Sequence, residues 1–425
     1  MSDAGLQSRL AAIWRTESPR LIAHLSRVTR DVGRAEDLAA DAFVSALAQW
    51  PDEGIPRNPG AWLMAVAKRR AVDQVRRDTK LAEKTALLAR DLPAGGAEPD
   101  FAQAIEEIDD DVLRLMFVAS HPMLAPEARV ALTLKLLGGL TTAEIARAYL
   151  TSEATIAQRI VRAKRTLSDA NVPFEVPSGP ERLRRVASLL EAVYLIFNEG
   201  YAASAGDDVL RPELVADALR LGRMLAALLP LESEVHGLVA LMEIQASRMP
   251  ARVGPDGEPI LLLDQDRAKW DQLQIRRGLG ALGRAERLGE LGSYGLQGAI
   301  GACHARAQTA AQTDWRRIAD IYGALARVVR SPVVELNRGV AVGMADGPAA
   351  GLEIVERLAR EPSLAAYHLL PSVRGDLLVK LRRYPEARAE FERAYELARN
   401  TRDKAFLLKR LDECRNVAAG APGSA

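Results

Sequence analysis

Apolar residues in this chain return every three or four positions, and that spacing favours helix over strand. Leu21, Leu25 and Val28 form one such row, and Leu38, Ala42, Ala46 and Trp50 a second. Leu63, Ala67, Ala71 and Val75 form a third, and Ile156, Ile160, Ala163 and Leu167 a fourth. Residues three and four apart stand on one face of a helix, whereas a strand sends successive side chains to opposite faces. Period-two runs of Val, Ile and Thr are hard to find. Aromatics make up only 5% of the residues, so Ala and Leu, strong helix formers, carry the apolar surface. The expected fold is all-α, and 425 residues suffice for about two to four domains.

Breaks divide the helical patterns. Pro51 to Pro59 reads as a loop. Residues 91–111, DLPAGGAEPDFAQAIEEIDDD, hold eight acids and no base and read as an acidic linker. Residues 171–180, with three prolines, mark a second boundary, and shorter loops fall near 206–212, 252–259 and 344–349. Gly375, Ala387, Phe391 and Ala394 lie at the offsets of a tetratricopeptide-like helical hairpin. PAAGLEIVERL (348–358) weakly echoes PEARAEFERAY, 37 residues later.

Net charge is +1, so bulk charge points to no partner and only local asymmetry is informative. Cys303 and Cys414 have no metal-type spacing and read as small buried hydrophobes in a reducing compartment. No apolar run is long enough to span a bilayer, so the expected location is cytoplasmic, without membrane. Neither metal nor cofactor is expected: Asp264, Asp266 and Asp271 lack calcium-loop spacing, and no P-loop, glycine fingerprint or nucleophile–base pair is found. YLIFNEGY (194–201) reads as structural, and so does His304. The chain is not read as an enzyme.

Local charge is most uneven between Thr141 and Leu167. Thr141 and Glu144 form a capping box, and Ile145, Ala146 and Tyr149 give the helix its inner face. After a short turn, Ser152 caps a second helix that buries Ile156, Ile160, Ala163 and Leu167. The opposite face carries Thr155, Gln158, Arg159, Arg162 and Arg165. This is a helix-turn-helix whose second helix suits a major groove, its first turns against base edges and its basic end against phosphates. A second basic helix carries Lys68, Arg69 and Arg70 within one turn, with Arg76 and Arg77 two turns later. Two basic helices on either side of an acidic linker suggest two DNA contacts joined by a tether.

These segments resemble the extracytoplasmic-function sigma factors of bacterial RNA polymerase. GRAEDLAADAFVSALAQW (33–50) is similar to sigma region 2, and NPGAWLMAVAKRRAVDQVRRD (58–78) to its promoter-reading continuation. ARVALTLKLLGGLTTAEIARAYLTSEATIAQRIVRAKRTL (128–167) is similar to region 4. SHPMLAPEARVALTLKLLGGLTTAEIARAYL, YLIFNEGYAAS, LLLDQDRAKWD and SPVVELNRGVAVG resemble, in order, the subgroup with a long tetratricopeptide-like C-terminal extension.

The resemblance implies region 2 over 1–90, an acidic connector over 91–111 and region 4 over 112–170. A linker over 171–180 and a helical regulatory extension over 181–425 follow. It implies core polymerase and promoter DNA as partners, with a protein or peptide partner open to the extension. Glu36, Asp37 and Asp41 match the acidic helix that docks on the polymerase clamp. Asn58, Lys68, Arg69, Arg70, Arg76 and Arg77 fall where the family meets the minus-10 element, while Trp62 reads as core. Ser152, Thr155, Gln158, Arg159, Arg162 and Arg165 fall where it meets the minus-35 element. Two positions depart from the pattern: Arg69 replaces a usual Asn, and Ala119-Ser120-His121-Pro122 replaces a common Cys-Cys-His-Pro. The alternative reading is a helix-turn-helix repressor or activator with a ligand-binding helical domain.

Overall fold

The computed structural model describes residues 3–77, 101–201, 210–254, 260–398 and 401–418. The described residues form helices and short connections, with no β-strand among them. They divide into two compact units, Met1–Pro230 and Leu231–Ala425.

The first unit opens with α1 (Asp3–Thr29), α2 (Val32–Glu53) and α3 (Pro59–Arg77). The α1–α2 junction is set locally. Arg30 takes the left-handed conformation, φ 55°, and the Asp31 carboxylate accepts the Arg34 amide at 2.9 Å as N-cap. The α2 helix continues through Pro51, which the sequence places in a loop, and the chain turns at Gly54, φ 86°. Near a helix end a proline forfeits a single intrahelical bond, so Pro51 is tolerated there. Trp50 and Trp62 meet edge to face with centroids 5.2 Å apart and lock α2 to α3.

Of the expected acidic linker, residues 91–100 lie outside the described residues and 101–111 already belong to α4 (Phe101–Ala119). The acids at its end are therefore not all a solvated tether. Asp111 is fully buried, 2.6 Å from Arg114 Nη1 and 3.0 Å from Arg27 Nε, with His24 Nδ1 at 3.6 Å. A buried carboxylate survives when cations surround it, and this one fastens α4 to α1.

Next come α5 (Pro126–Leu136), α6 (Thr142–Ala148) and α7 (Glu153–Asp169). The sequence starts the extension at 181, but the next two helices, α8 (Gly179–Tyr201) and α9 (Pro212–Leu228), belong to the first compact unit. Polar anchors show why. The Arg129 guanidinium on α5, 7% exposed, donates to Ser188 Oγ at 2.5 Å and pairs with Glu191 at 2.8 Å. Ser188 in turn donates to the Ser120 carbonyl at 2.6 Å, and Arg185 to that of Phe117 at 3.0 Å. Arg220 on α9 donates to the Leu137 and Gly138 carbonyls at 3.1 and 3.2 Å. These bonds satisfy carbonyls at helix ends that otherwise have no partner. The 171–180 segment, for all its prolines, leads into a helix that packs back on α4 and α5.

The second unit stacks consecutive helices. It contains α10 (Ser233–Ala246), α11 (Gln272–Leu288), α12 (Ser293–Arg306), α13 (Trp315–Val328), α14 (Pro332–Ala345) and α15 (Pro348–Leu358). Then follow α16 (Leu369–Lys380), α17 (Tyr384–Leu397) and α18 (Thr401–Ala418). Most pack chiefly on their sequence neighbours, the habit of helical-repeat proteins, while α12 packs back mainly on α10. The Glu234 carboxylate on α10 caps another helix, accepting the Tyr294 and Gly295 amides at the start of α12, both at 2.9 Å. Gly375 lies against the Phe391 ring so closely that a Cβ there would sit 2.7 Å from it. Phe391, Ala387 and Ala394 are fully buried, so the tetratricopeptide-like spacing marks a packed α16–α17 hairpin.

Candidate nucleic-acid interface

The helix-turn-helix forms as its capping residues require. Thr141 Oγ1 accepts the Glu144 amide at 3.1 Å, and Glu144 Oε2 accepts the Thr141 amide at 2.7 Å. Arg15 of α1 joins this box, with Nη2 2.8 Å from Glu144. Burial alone pushes the Glu144 carboxyl upward, but the hydrogen bonds from Thr141 and Arg15 hold it below its usual range. Ser152 Oγ accepts the Thr155 amide at 3.1 Å and starts α7, which buries Ile156, Ile160, Ala163 and Leu167. The Ser152 hydroxyl is thus committed to capping.

With that face buried, Thr155, Gln158, Arg162 and Arg165 are exposed along the other side of α7. They lie at steps of three, four and three and form one row. The Arg165 side chain is 82% exposed, with Asp169 3.5 Å away. Arg159 departs from the row. It is half-buried and lines a cavity beside α8 with Tyr149, Leu195 and Glu199.

The acidic helix α2 divides its carboxylates. Asp37 and Asp41, one turn apart, are exposed. Val44, 61% exposed, continues the same face. Glu36 instead turns inward: it is 9% exposed, with Lys135 Nζ of α5 at 3.5 Å and Lys164 Nζ of α7 in direct contact. Glu36, expected to serve polymerase docking, is therefore tied to α7, the helix that carries the minus-35 set, within one compact unit.

On α3, Arg69 is exposed and Lys68 half-buried. Arg70 donates to Ser45 Oγ at 2.7 Å and lies 3.3 Å from Asp41, bridging the two predicted surfaces of region 2. Asn58 caps α3, its Oδ1 accepting the Ala61 amide at 3.0 Å. Arg76 and Arg77 end the helix, and their side chains lie outside the described residues. Among the described residues no group of acids, histidines and cysteines is placed to hold a metal ion, and Cys303 and Cys414 are buried free thiols. No helix among them is long and apolar enough to cross a membrane.

Residues 13–81 match the model of sigma-70 region 2, and residues 114–167 that of sigma-70 region 4. A family of unknown function (DUF6596) matches residues 185–286, and so begins in the first compact unit and ends in the second. Uncharacterized protein R00370 of Rhizobium meliloti (strain 1021) is 41% identical over 398 residues, covering 93% of each chain. Probable ECF RNA polymerase sigma factor SigI of Mycobacterium tuberculosis (strain ATCC 25618 / H37Rv) is 28% identical over 176 residues, 41% of this chain and 59% of SigI. ECF RNA polymerase sigma factor SigK of Mycobacterium ulcerans (strain Agy99) is 29% identical over 153 residues, 35% of this chain and 78% of SigK.

The chain belongs to the extracytoplasmic-function sigma factors. It is an RNA polymerase sigma factor with a large helical C-terminal extension, and its partners are core polymerase and promoter DNA. Sigma-factor families are promoter-recognition subunits, not enzymes. In this sigma factor, α2 and α3 lie in the region 2 match, and α5 to α7 in the region 4 match. Sequence reasoning named Lys164 among the basic residues of the recognition stretch but did not place it in a site. It gave Lys135, Arg15 and Val44 no role. Their only sequence signal is residue type; their significance comes from long-range packing.

Proposed function

We propose that this sigma factor docks core polymerase through the exposed face Asp37–Asp41–Val44 and reads the minus-35 element through Thr155, Gln158, Arg162 and Arg165. The observation that carries this reading is the sorting of α7: its apolar row is buried, and its polar and basic row is open to a groove. On α2, carboxylates suited to basic partners flank an apolar side chain that water solvates poorly, a combination that fits a protein partner. On α3, exposed Arg69 and surface-paired Arg70 supply positive charge for the melted minus-10 strand. The protein acts where its polymerase is, in the cytoplasm.

The conformation with Glu36 between Lys135 and Lys164 is the form not engaged on polymerase. Promoter elements are separated along the DNA, so reading both requires region 4 to leave region 2, and the Glu36 bridges oppose that step. The extension regulates by orienting region 4. The buried bonds of Arg129 and Arg185 and the partly buried bonds of Arg220 support this, because they join α8 and α9 to the segments that carry the reader. Run-off transcription with purified core polymerase tests the whole reading. The full chain initiates at a cognate promoter, and replacing Asp37 and Asp41 or Arg162 abolishes or reduces initiation.

A further inference from the structure

Between the helix-turn-helix and α8 lies a half-open cavity of about 180 Å³. Its apolar walls are Val130 and Ala131 of α5, Ile145 of α6, Ile156 of α7 and Leu195 of α8. Tyr149 and Arg159 complete it beside Glu127 and Glu199. The Tyr149 hydroxyl oxygen is buried and has no hydrogen-bond partner among the described residues. Such a group is costly to bury until a partner accepts its hydrogen bond. Burial first, and then the nearby Glu199 carboxylate, raise the Tyr149 pKa, so the side chain stays a neutral donor.

The charges around the cavity narrow what fits. Glu199 is ion-paired with Arg211, which also donates to the Ala148 carbonyl at the end of α6. Glu127 and Glu199 oppose an anionic guest, and Arg159 opposes a cationic one. An apolar cavity of about 150 Å³ accepts benzene, so this volume holds a single-ring molecule.

We infer that this cavity is an effector site for a small neutral molecule with an apolar body and one hydrogen-bond acceptor. The acceptor meets the Tyr149 hydroxyl, and the apolar body fills the space between Ala131, Ile156 and Leu195. An occupant acts on promoter reading through Arg159, the one wall residue that also belongs to the predicted recognition set. The extension thereby provides one wall of a sensor. This last step rests on the sigma-factor reading, whereas binding itself does not.

The test uses the full-length chain and two probes of similar shape, acetophenone, which has a carbonyl acceptor, and isopropylbenzene, which has none. Saturation-transfer NMR titrations give the affinities. The wild type binds both and prefers acetophenone about fivefold, the value of one net hydrogen bond. Tyr149→Phe loses that preference and keeps its affinity for isopropylbenzene. Ala131→Leu fills the cavity and excludes both probes. Because that variant risks misfolding, the Tyr149→Phe comparison stands without it. Absence of acetophenone binding, or an equal preference in wild type and Tyr149→Phe, overturns the site. Run-off transcription with and without acetophenone then tests coupling. A change in the wild type that is lost in Arg159→Lys supports it, and binding without any change overturns it. Transcription without probe reports on the sigma-factor reading separately.

Discussion

Lys164 on the recognition helix grips the carboxylate of Glu36 on the acidic helix of region 2. Lys135 supports the contact from 3.5 Å, and the two ends of Glu36 are thereby held by two helices of region 4. The pair is mostly withdrawn from solvent, with side-chain exposures of 12% for Glu36 and 20% for Lys164. The contact is therefore stronger than an open surface pair, yet its removal leaves two lysines that can reach water.

Glu36→Gln is expected to weaken the closed form by about 1–2 kcal/mol. Small-angle scattering checks this directly, since loosening region 2 from region 4 increases the radius of gyration. Core binding should tighten in parallel. A Glu36→Gln protein as compact as the wild type, with unchanged core affinity, removes Glu36 as the latch.

Asp37→Arg with Asp41→Arg should weaken core binding at least tenfold, by turning an attractive face repulsive. Both residues are exposed, so folding is spared. Arg70 loses its partner at 3.3 Å but keeps its bond to Ser45. A pull-down with core polymerase, with helicity checked by circular dichroism, reads the result. Undiminished capture sinks the docking assignment.

The fold was largely legible because its rules are local. Leu21 and Leu25, Leu38 to Trp50, Leu63 to Ala71 and Ile156 to Leu167, named from spacing, became buried helix faces, with Val28 half-buried, and Thr141–Glu144 and Ser152 cap α6 and α7 as their residue types require. What was not legible rests on partners far apart in sequence. Nothing near Asp111 announces that Arg27 will cover it, and nothing near Glu36 announces Lys164. The prolines of 171–180 suggested a boundary, yet Arg129 and Ser188 reach across it. Among site residues, type and helical position placed Thr155, Gln158, Arg162 and Arg165 on one face. Arg159 has the same credentials, but the packing of α8 turned it toward the cavity.

Arg162→Ala and Arg165→Ala should differ in kind. Arg162 lies nearer the start of α7, where base edges are reached, and a lost bidentate base contact costs about 1–3 kcal/mol and relaxes one position. Arg165 lies on the basic end, and losing a phosphate contact weakens all sequences alike and lowers the salt slope by about one. Binding of promoter variants at several salt concentrations separates the two. Identical profiles for both variants contradict the proposed register of the helix.

His304 makes the second compact unit sensitive to acid. Burial chiefly, aided by Arg248 and Arg267, lowers its pKa to about 4. The unfolded chain therefore takes up a proton nearer pH 6.5, and between those values it binds more protons than the folded state. Stability is full above about pH 6.5 and falls toward pH 4, by up to about 1.4 kcal/mol per unit. In the first compact unit His121 acts with the same sign, its pKa also lowered to about 4, mainly by burial and then by Arg185. Its greater exposure makes its share smaller. Thermal unfolding between pH 7 and 5 should show a shallower slope in His304→Gln than in the wild type. An unchanged slope assigns the acid sensitivity elsewhere.

Cutting the chain at two places tests where the sigma core ends. A protein ending at Pro230 keeps every helix of the first compact unit and should fold cooperatively. One ending at Ala170 loses the α8 residues Val186, Leu189, Leu190, Val193, Ile196 and Phe197, all buried. It also strips Arg129 of Ser188 and Glu191, and the Phe117 and Ser120 carbonyls of their donors. Losing these six buried side chains exposes to water the apolar surface of α4 and α5 that they cover. Residues 1–170 should therefore unfold at lower temperature than residues 1–230, or lack a cooperative transition altogether. Transcription follows from the same packing: residues 1–230 retain a correctly held region 4 and its cavity, whereas residues 1–170 retain neither. Equal melting temperatures for the two truncations show that α8 and α9 add nothing to the sigma core, and the proposed orientation of region 4 by the extension falls with them.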